Sequence, residues 1–153
     1  MAVLLRVIEV KQGPEEAFDA VADFSSSAAW DPGVIAATRT REGAGAPVGI
    51  GAEYLLKVSF RGRESEMVYR TTGYERPNLV VLEGVGPRIA AVDTIRFEQI
   101  DGGTRVTYVA DLRLIGLARI AGPLLGGEFE AMGDRALAGM QAWLGREYGG
   151  TVA

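Results

Sequence analysis

The polar residue with the clearest potential for chemistry is Asp93, which lies within a predicted β-strand. It alternates in phase with Ala91 and Ile95, so we expect its carboxyl group to point toward the interior. A buried carboxylate is costly unless it is paired or protonated. Asp93 is therefore either the structural partner of an arginine or a tyrosine hydroxyl, or a ligand contact or acid–base group with a raised pKa.

Three tyrosines, Tyr54, Tyr69 and Tyr108, fall on the inward phases of other predicted strands. A tyrosine can donate its hydroxyl to a carbonyl oxygen while its ring lines an apolar wall, and core packing with a satisfied hydroxyl is the open alternative. If the protein is a catalyst, the candidate groups are Asp93, Tyr69 and Tyr108. Glu83 is ambiguous because both phases of its strand are apolar; an inward Glu83 would give Asp93 a partner for acid–base chemistry.

Composition excludes several kinds of function. The 153 residues contain no cysteine and no histidine, which removes disulfides, thiolate nucleophiles, zinc–sulfur sites and histidine-based triads. No carboxylate cluster has the spacing of a calcium loop, and we predict neither a metal nor another cofactor. The net charge of −4 and the lack of a basic run argue against nucleic acid as a partner.

The first ten residues, MAVLLRVIEV, are predicted as a strand over residues 3–10. Arg6 and Glu9 interrupt this stretch, and it is too short for a signal peptide or a membrane span. We therefore expect one domain over residues 1–153, in the cytoplasm and without stable membrane insertion. The sequence does not indicate a protein partner.

The rest of the chain reads as a helix, a run of strands and a long final helix. Pro14 and the two glutamates after it mark the start of a helix expected to reach about Phe24. A short helical turn is expected to end at Trp30, before Asp31-Pro32-Gly33. Period-two alternation predicts strands over residues 34–41, 52–61, 64–74, 79–84, 88–99 and 104–114. Helical spacing predicts an amphipathic helix over 124–147, after a short turn at 117–121.

An antiparallel sheet with one apolar face needs a cover, and the long helix can provide it. Twisted strands would then curl around the helix and leave a cavity. Gly133 and Ala136, on the inner face of the helix, either leave room for a ligand or allow close packing on the sheet. The residues expected to contact a ligand are Trp30, Tyr54, Leu56, Met67, Tyr69, Asp93, Tyr108, Phe129, Met132, Gly133, Ala136 and Met140.

Several short motifs carry a resemblance to a known family. They are Pro14-Glu15-Glu16-Ala17-Phe18, Val21-Ala22-Asp23-Phe24, Trp30-Asp31-Pro32-Gly33-Val34, Gly51-Ala52-Glu53-Tyr54, and Gly102-Gly103-Thr104-Arg105-Val106 with Tyr108. With the long final helix, they resemble the START-like (SRPBCC) superfamily, in its polyketide cyclase/dehydrase branch. The resemblance implies an α+β helix-grip fold, in which a curved antiparallel sheet of about six to seven strands surrounds a long C-terminal helix and encloses a cavity for hydrophobic molecules.

Trp30 stands on the corner between the first helices and the next strand. In the fold that the resemblance implies, this corner lies near the entrance of the cavity. Trp30 is expected either to anchor the corner on the core or to form a wall or lid for the ligand, since tryptophan serves both roles.

Two functions are compatible with these features. The first is binding or carriage of a hydrophobic small molecule, such as a lipid, a polyketide or an aromatic compound. The alternative is a polyketide cyclase or dehydratase that uses tyrosine and aspartate as acid and base. A protein-interaction module would need a large exposed apolar patch, which the sequence does not identify. We favour binding because the chain lacks the usual catalytic base.

Overall fold

The structure, a computed structural model, describes residues 2–117 and 126–147. Its strands are β1 (Ala2–Val10), β2 (Val34–Arg41), β3 (Glu53–Phe60), β4 (Arg63–Glu75), β5 (Leu79–Val85), β6 (Ile89–Ile100) and β7 (Gly103–Leu114). Its helices are α1 (Pro14–Ala22), α2 (Ser27–Trp30) and α3 (Gly126–Glu147), with a 3₁₀ turn over Phe24–Ser26. The predicted strands agree with these limits to within a residue at each end.

The seven strands form one antiparallel sheet in the order β1-β7-β6-β5-β4-β3-β2. Only the connection from β1 to β2, which contains α1 and α2, crosses from one edge of the sheet to the other. Side chains alternate between a buried inner face and an outer face on which Leu5 and Val85 are exposed. Glu83 also lies exposed on the outer face, so it does not accompany Asp93 into the interior.

Helix α1 begins where the sequence predicts but ends earlier. Pro14 occupies the first turn, and Glu15 and Glu16 lie where the helix dipole favours negative charge. The sequence predicts an end at about Phe24, and the helix ends two residues earlier, at Ala22. The Asp23 carboxylate accepts hydrogen bonds from the backbone N–H and the hydroxyl of Ser25, and these bonds start the 3₁₀ turn instead.

Helix α3 packs against β1 and α2. At its N-terminal half, Arg6 pairs with Glu130 at 2.7 Å and with Asp134 at 2.6 Å. At its C-terminal half, the Gln12 side chain donates a 2.6 Å hydrogen bond to the carbonyl oxygen of Leu144. These contacts hold the helix to β1 and to the residues that directly follow it.

Two glycines allow α3 to approach its neighbours. A Cβ atom on Gly139 would overlap the carbonyl oxygen of Trp30, and one on Gly133 would lie 3.2 Å from the Leu4 side chain. Close packing against Leu4 therefore restricts what can replace Gly133, while its role toward a ligand stays a prediction. Residues 118–121 of the predicted short turn and residues 124–125 of the predicted helix lie outside the described residues.

Candidate functional site

A cavity lies on the inner face of the sheet and consists of three compartments that share walls. The outer compartment, about 500 Å³, lies between the β3–β4 turn and the β5–β6 turn. The inner compartment, about 100 Å³, lies deeper and shares Met67 and Ile89 with the outer one. The helix-side compartment, about 90 Å³, reaches α3 and shares Tyr69, Asp93 and Tyr108 with the inner one.

Asp93 is the buried acid of this cavity. Asp93 is only 5% exposed, and the Tyr108 hydroxyl donates a 2.6 Å hydrogen bond to its Oδ2 atom. The Oδ1 atom is buried and has no hydrogen-bond partner in the described part of the chain. Burial raises the pKa of Asp93 to about 7, against the lowering effect of the Tyr108 hydrogen bond. Asp93 therefore changes its protonation near neutral pH.

Tyr69 contributes a second polar group to the same walls. Its ring lies 4.9 Å from the ring of Phe24, measured between centroids, and on its other side it covers Gly84. A Cβ atom on Gly84 would come within 2.8 Å of three ring carbons of Tyr69, so only glycine leaves the ring its place. Burial raises the pKa of the Tyr69 hydroxyl well above its usual value, and the group remains a donor at neutral pH. Within the described residues this hydroxyl has no hydrogen-bond partner.

A second carboxyl group, that of Asp31, also lines the inner and helix-side compartments. Its Oδ1 atom accepts a 2.8 Å hydrogen bond from the backbone N–H of Gly33, which closes the corner after α2. Burial raises the pKa of Asp31, and the charge of Asp31 raises the pKa of Asp93 in turn. Sequence reasoning treated Asp31 only as part of a turn, because a loop residue has no strand or helix phase that would place it in a cavity.

Eight of the twelve residues predicted to contact a ligand lie in the walls of these compartments. They are Leu56, Met67, Tyr69, Asp93, Tyr108, Met132, Gly133 and Ala136. The structure brings them together from β3, β4, β6, β7 and α3. Sequence reasoning did not identify Gly84, which leaves space for the ring of Tyr69. A glycine inside an otherwise apolar strand is the signal that could have identified it.

The other four predicted contacts pack beside the cavity. Trp30 is 3% exposed, donates a 3.1 Å hydrogen bond from Nε1 to Ser26 Oγ, and lies edge to face on the ring of Tyr108. This position anchors the corner, and a ligand contact by Trp30 stays a prediction. Tyr54 and Met140 are fully buried, while Phe129 stacks on Phe60 of the outer compartment.

The inner compartment of the site offers hydrogen bonds inside a largely apolar enclosure. Tyr69 and a protonated Asp93 can donate to a ligand oxygen, and an ionised Asp93 can accept from a ligand donor. Among residues 2–117 and 126–147, no cluster of acidic side chains is arranged to hold a metal ion. The helices of that same part of the chain include none long and apolar enough to cross a membrane.

The fold defines the class of protein. A seven-stranded antiparallel sheet with a long C-terminal helix is the START-like fold, and solved structures with this fold superimpose on most of the chain. The sequence also matches, over residues 1–145, the family described as polyketide cyclase / dehydrase and lipid transport. The chain belongs to this family.

Three solved structures illustrate the likeness. A START superfamily protein from Mycobacterium smegmatis superimposes with a TM-score of 0.73 at 12% identity, covering 94% of each chain. The protein TTHA0849 from Thermus thermophilus superimposes with a TM-score of 0.77 at 12% identity, covering 93% of this chain and 96% of its own. The Zhui aromatase/cyclase from Streptomyces sp. R1128 superimposes with a TM-score of 0.65 at 15% identity, covering 92% of this chain and 87% of its own. The chain matches no curated protein sequence.

Proposed function

We propose that this protein binds and carries a hydrophobic small molecule whose polar oxygen reaches Asp93 and Tyr69. One observation carries the proposal: an apolar cavity contains a buried carboxyl oxygen, Asp93 Oδ1, without a partner in the described chain. An unsatisfied buried polar group costs about 1–3 kcal/mol, and a ligand group that completes its hydrogen bonds removes this cost. The apolar walls would supply the affinity and the polar pair the orientation.

The chemical class of the ligand follows from the walls. Leu56, Met67, Ile89 and Leu112 are apolar and favour a lipid-like, polyketide-like or aromatic body. Two methionines, Met67 and Met132, can repack around ligands of different shape. The cytoplasm remains the predicted location of this binding.

Catalysis of polyketide cyclisation or dehydration is the second candidate, and Asp93 is the observation that favours it. A pKa of about 7 suits a group that must both take and give a proton at neutral pH. The Tyr69 hydroxyl would polarise a carbonyl while Asp93 removed a proton from the neighbouring carbon. The likeness to an aromatase/cyclase agrees with this chemistry but rests on fold alone. Binding is preferred because it requires only the cavity and its hydrogen-bonding groups.

Titration with a neutral environment-sensitive dye, such as Nile red, tests the binding proposal. Ile89→Trp would fill space shared by the outer and inner compartments. Val85→Trp, on the exposed outer face, is the matched control. We expect saturable binding by the wild type and the control and at least tenfold weaker binding by Ile89→Trp. Equal binding by all three folded proteins, or no saturable binding by the wild type, would overturn the proposal.

A further inference from the structure

The outer compartment combines apolar walls with arginines. Arg61, Arg63 and Arg88 line it together with Met67 and Ile89, and no carboxylate belongs to its described lining. Arginine side chains cover apolar surface with their carbon stems and keep their charge at the rim. This end of the cavity is therefore apolar inside and positively charged at its edge.

Two of these arginines have no charge partner in the described chain. Arg61 pairs with Glu128 at 2.9 Å, whereas neither Arg63 nor Arg88 forms an ion pair with a described residue. Arg63 also shares the inward phase of β4 with Met67, so its charge is placed on the cavity side of the sheet.

The turn that presents these charges has an unusual backbone. The β3–β4 hairpin closes with Arg61 and Gly62, both at positive φ, 55° and 75°. Glycine or asparagine normally occupies the first of these positions, because a larger side chain is strained at positive φ. Strain of this kind clusters at functional sites, and here it places one more arginine beside the outer compartment.

The inner end of the cavity has the opposite character. Asp31 and Asp93 lie there, and no positively charged side chain belongs to the described lining of the inner compartment. The adjoining helix-side compartment includes Arg6, whose charge is already paired with Glu130 and Asp134. An anionic group would be repelled from that end and attracted to the arginines at the outer end. The two ends therefore define an orientation for a ligand that is charged at one end only.

We propose that the preferred ligand also carries an anionic carboxylate, sulfate or phosphate group at the end opposite the oxygen that reaches Asp93, and that this group lies between Arg63 and Arg88 while the apolar body occupies the cavity. Guanidinium groups match the geometry of such oxyanions and bind them with paired hydrogen bonds. The proposal rests on the proposed binding function and adds the charge of the ligand and its direction in the cavity.

Calorimetric titration with decanoate and with decan-1-ol, which share a ten-carbon chain, tests the proposal. The variant is Arg63→Gln/Arg88→Gln. The control is Arg70→Gln/Arg113→Gln, which removes the same charge from exposed residues of β4 and β7 that do not line the outer compartment. We expect the variant to lose at least tenfold in affinity for decanoate and less than twofold for decan-1-ol. The control should lose less than threefold for either ligand.

Raising the salt concentration should weaken decanoate binding to the wild type and leave decan-1-ol binding unchanged, because only the charged contact is screened. If the variant binds decanoate as tightly as the wild type does, the anion site is overturned while the binding function stands. If neither ligand binds the folded wild type, both proposals fail. Thermal melting of each variant confirms that it is folded before titration.

Discussion

The inner face of the sheet has a solid half and a hollow half, and β6 passes through both. The solid half consists of Tyr74 and Phe97 on the sheet and of Phe18 from α1, which packs against them. Phe18 is completely buried, and its ring meets those of Tyr74 and Phe97 at centroid distances of 5.4 and 5.2 Å. The hollow half consists of the compartments around Met67, Tyr69, Asp93 and Tyr108, where the same sheet encloses unfilled space and unsatisfied polar groups.

The difference shows how the chain supports a cavity without losing its fold. Interlocking aromatic rings stabilise the solid half, because each buried aromatic side chain contributes a large apolar area and well-defined contacts. Asp93 and Phe97 lie on the same strand, the same face and only four positions apart. The strongly packed end of β6, at Phe97, therefore holds the Asp93 end in place, where the buried carboxyl group is destabilising.

The largest expected effect is the loss of the central ring of the solid half. Phe18→Ala should lower the free energy of unfolding by about 3–5 kcal/mol, because it opens a cavity in a filled core. Ile89→Ala in the hollow half should cost about 2 kcal/mol or less, since space already lies beside that side chain. Urea denaturation measures both values, and equal losses would show that the two halves are packed alike.

Asp93→Asn should reverse the destabilisation caused by the buried acid. The pKa of Asp93 in the folded protein, about 7, lies above its usual value of 3.8, so between these values the folded state binds more protons than the unfolded state. Stability from this group is present at low pH and is lost as the pH rises toward 7. From pH 5 to pH 8 the variant should gain about 3 kcal/mol relative to the wild type.

Denaturation curves of the two proteins at several pH values give this difference directly. Glu83→Gln, a substitution on the exposed outer face, is the control and should stay within about 0.5 kcal/mol of the wild type. If the difference in unfolding free energy between Asp93→Asn and the wild type stayed the same from pH 5 to pH 8, Asp93 would be ionised throughout that range.

The contact between α2 and α3 should tolerate no side chain at Gly139. Gly139→Ala is expected to cost about 1–3 kcal/mol, because the added methyl group would overlap the carbonyl oxygen of Trp30. Gly145→Ala, on the same helix with open space around it, should instead raise stability by up to about 1 kcal/mol. Thermal melting compares the two; a stable Gly139→Ala protein would contradict the close approach of the helices.

The smallest expected effect is that of filling the helix-side compartment. Ala136→Leu should change the stability of the ligand-free protein by less than about 1 kcal/mol, because its added carbons enter a space of about 90 Å³. Binding of bulky neutral ligands should weaken. Ala138→Leu, at an exposed position of α3, should alter neither property. A clear loss of stability with unchanged affinity would show that Ala136 serves close packing and not ligand binding.

Much of the hollow half could be predicted from local patterns. Period-two alternation placed Asp93, Tyr69 and Tyr108 on the inner face, since side chains of a strand alternate whatever the fold. The end of α1 was predicted less well, because the hydrogen bonds of the Asp23 side chain decide it. Helical periodicity placed Ala136 on the inner face of α3 but could not decide whether it adjoins space or a packed neighbour.

Features that depend on contacts between distant segments could not be predicted. Asp31 lines the cavity at the end of α2, a helix that packs against the distant α3. The contact between the Tyr69 ring and Gly84 requires the register in which β4 pairs with β5. The arginines of the outer compartment lie in or beside two turns, β3–β4 and β5–β6, that are distant in the sequence. Sequence patterns describe each segment, whereas these juxtapositions arise from the assembled sheet.

The most direct test of the cavity is an NMR titration of protein labelled with ¹³C at the methionine methyl groups. Met67 and Met132 line the inner compartment, whereas Met140 is completely buried in the packed core and serves as an internal control. On addition of decanoate or Nile red, the resonances of Met67 and Met132 should shift together and saturate, with little change at Met140. Saturable binding that leaves Met67 and Met132 unmoved would place the ligand elsewhere and contradict the account.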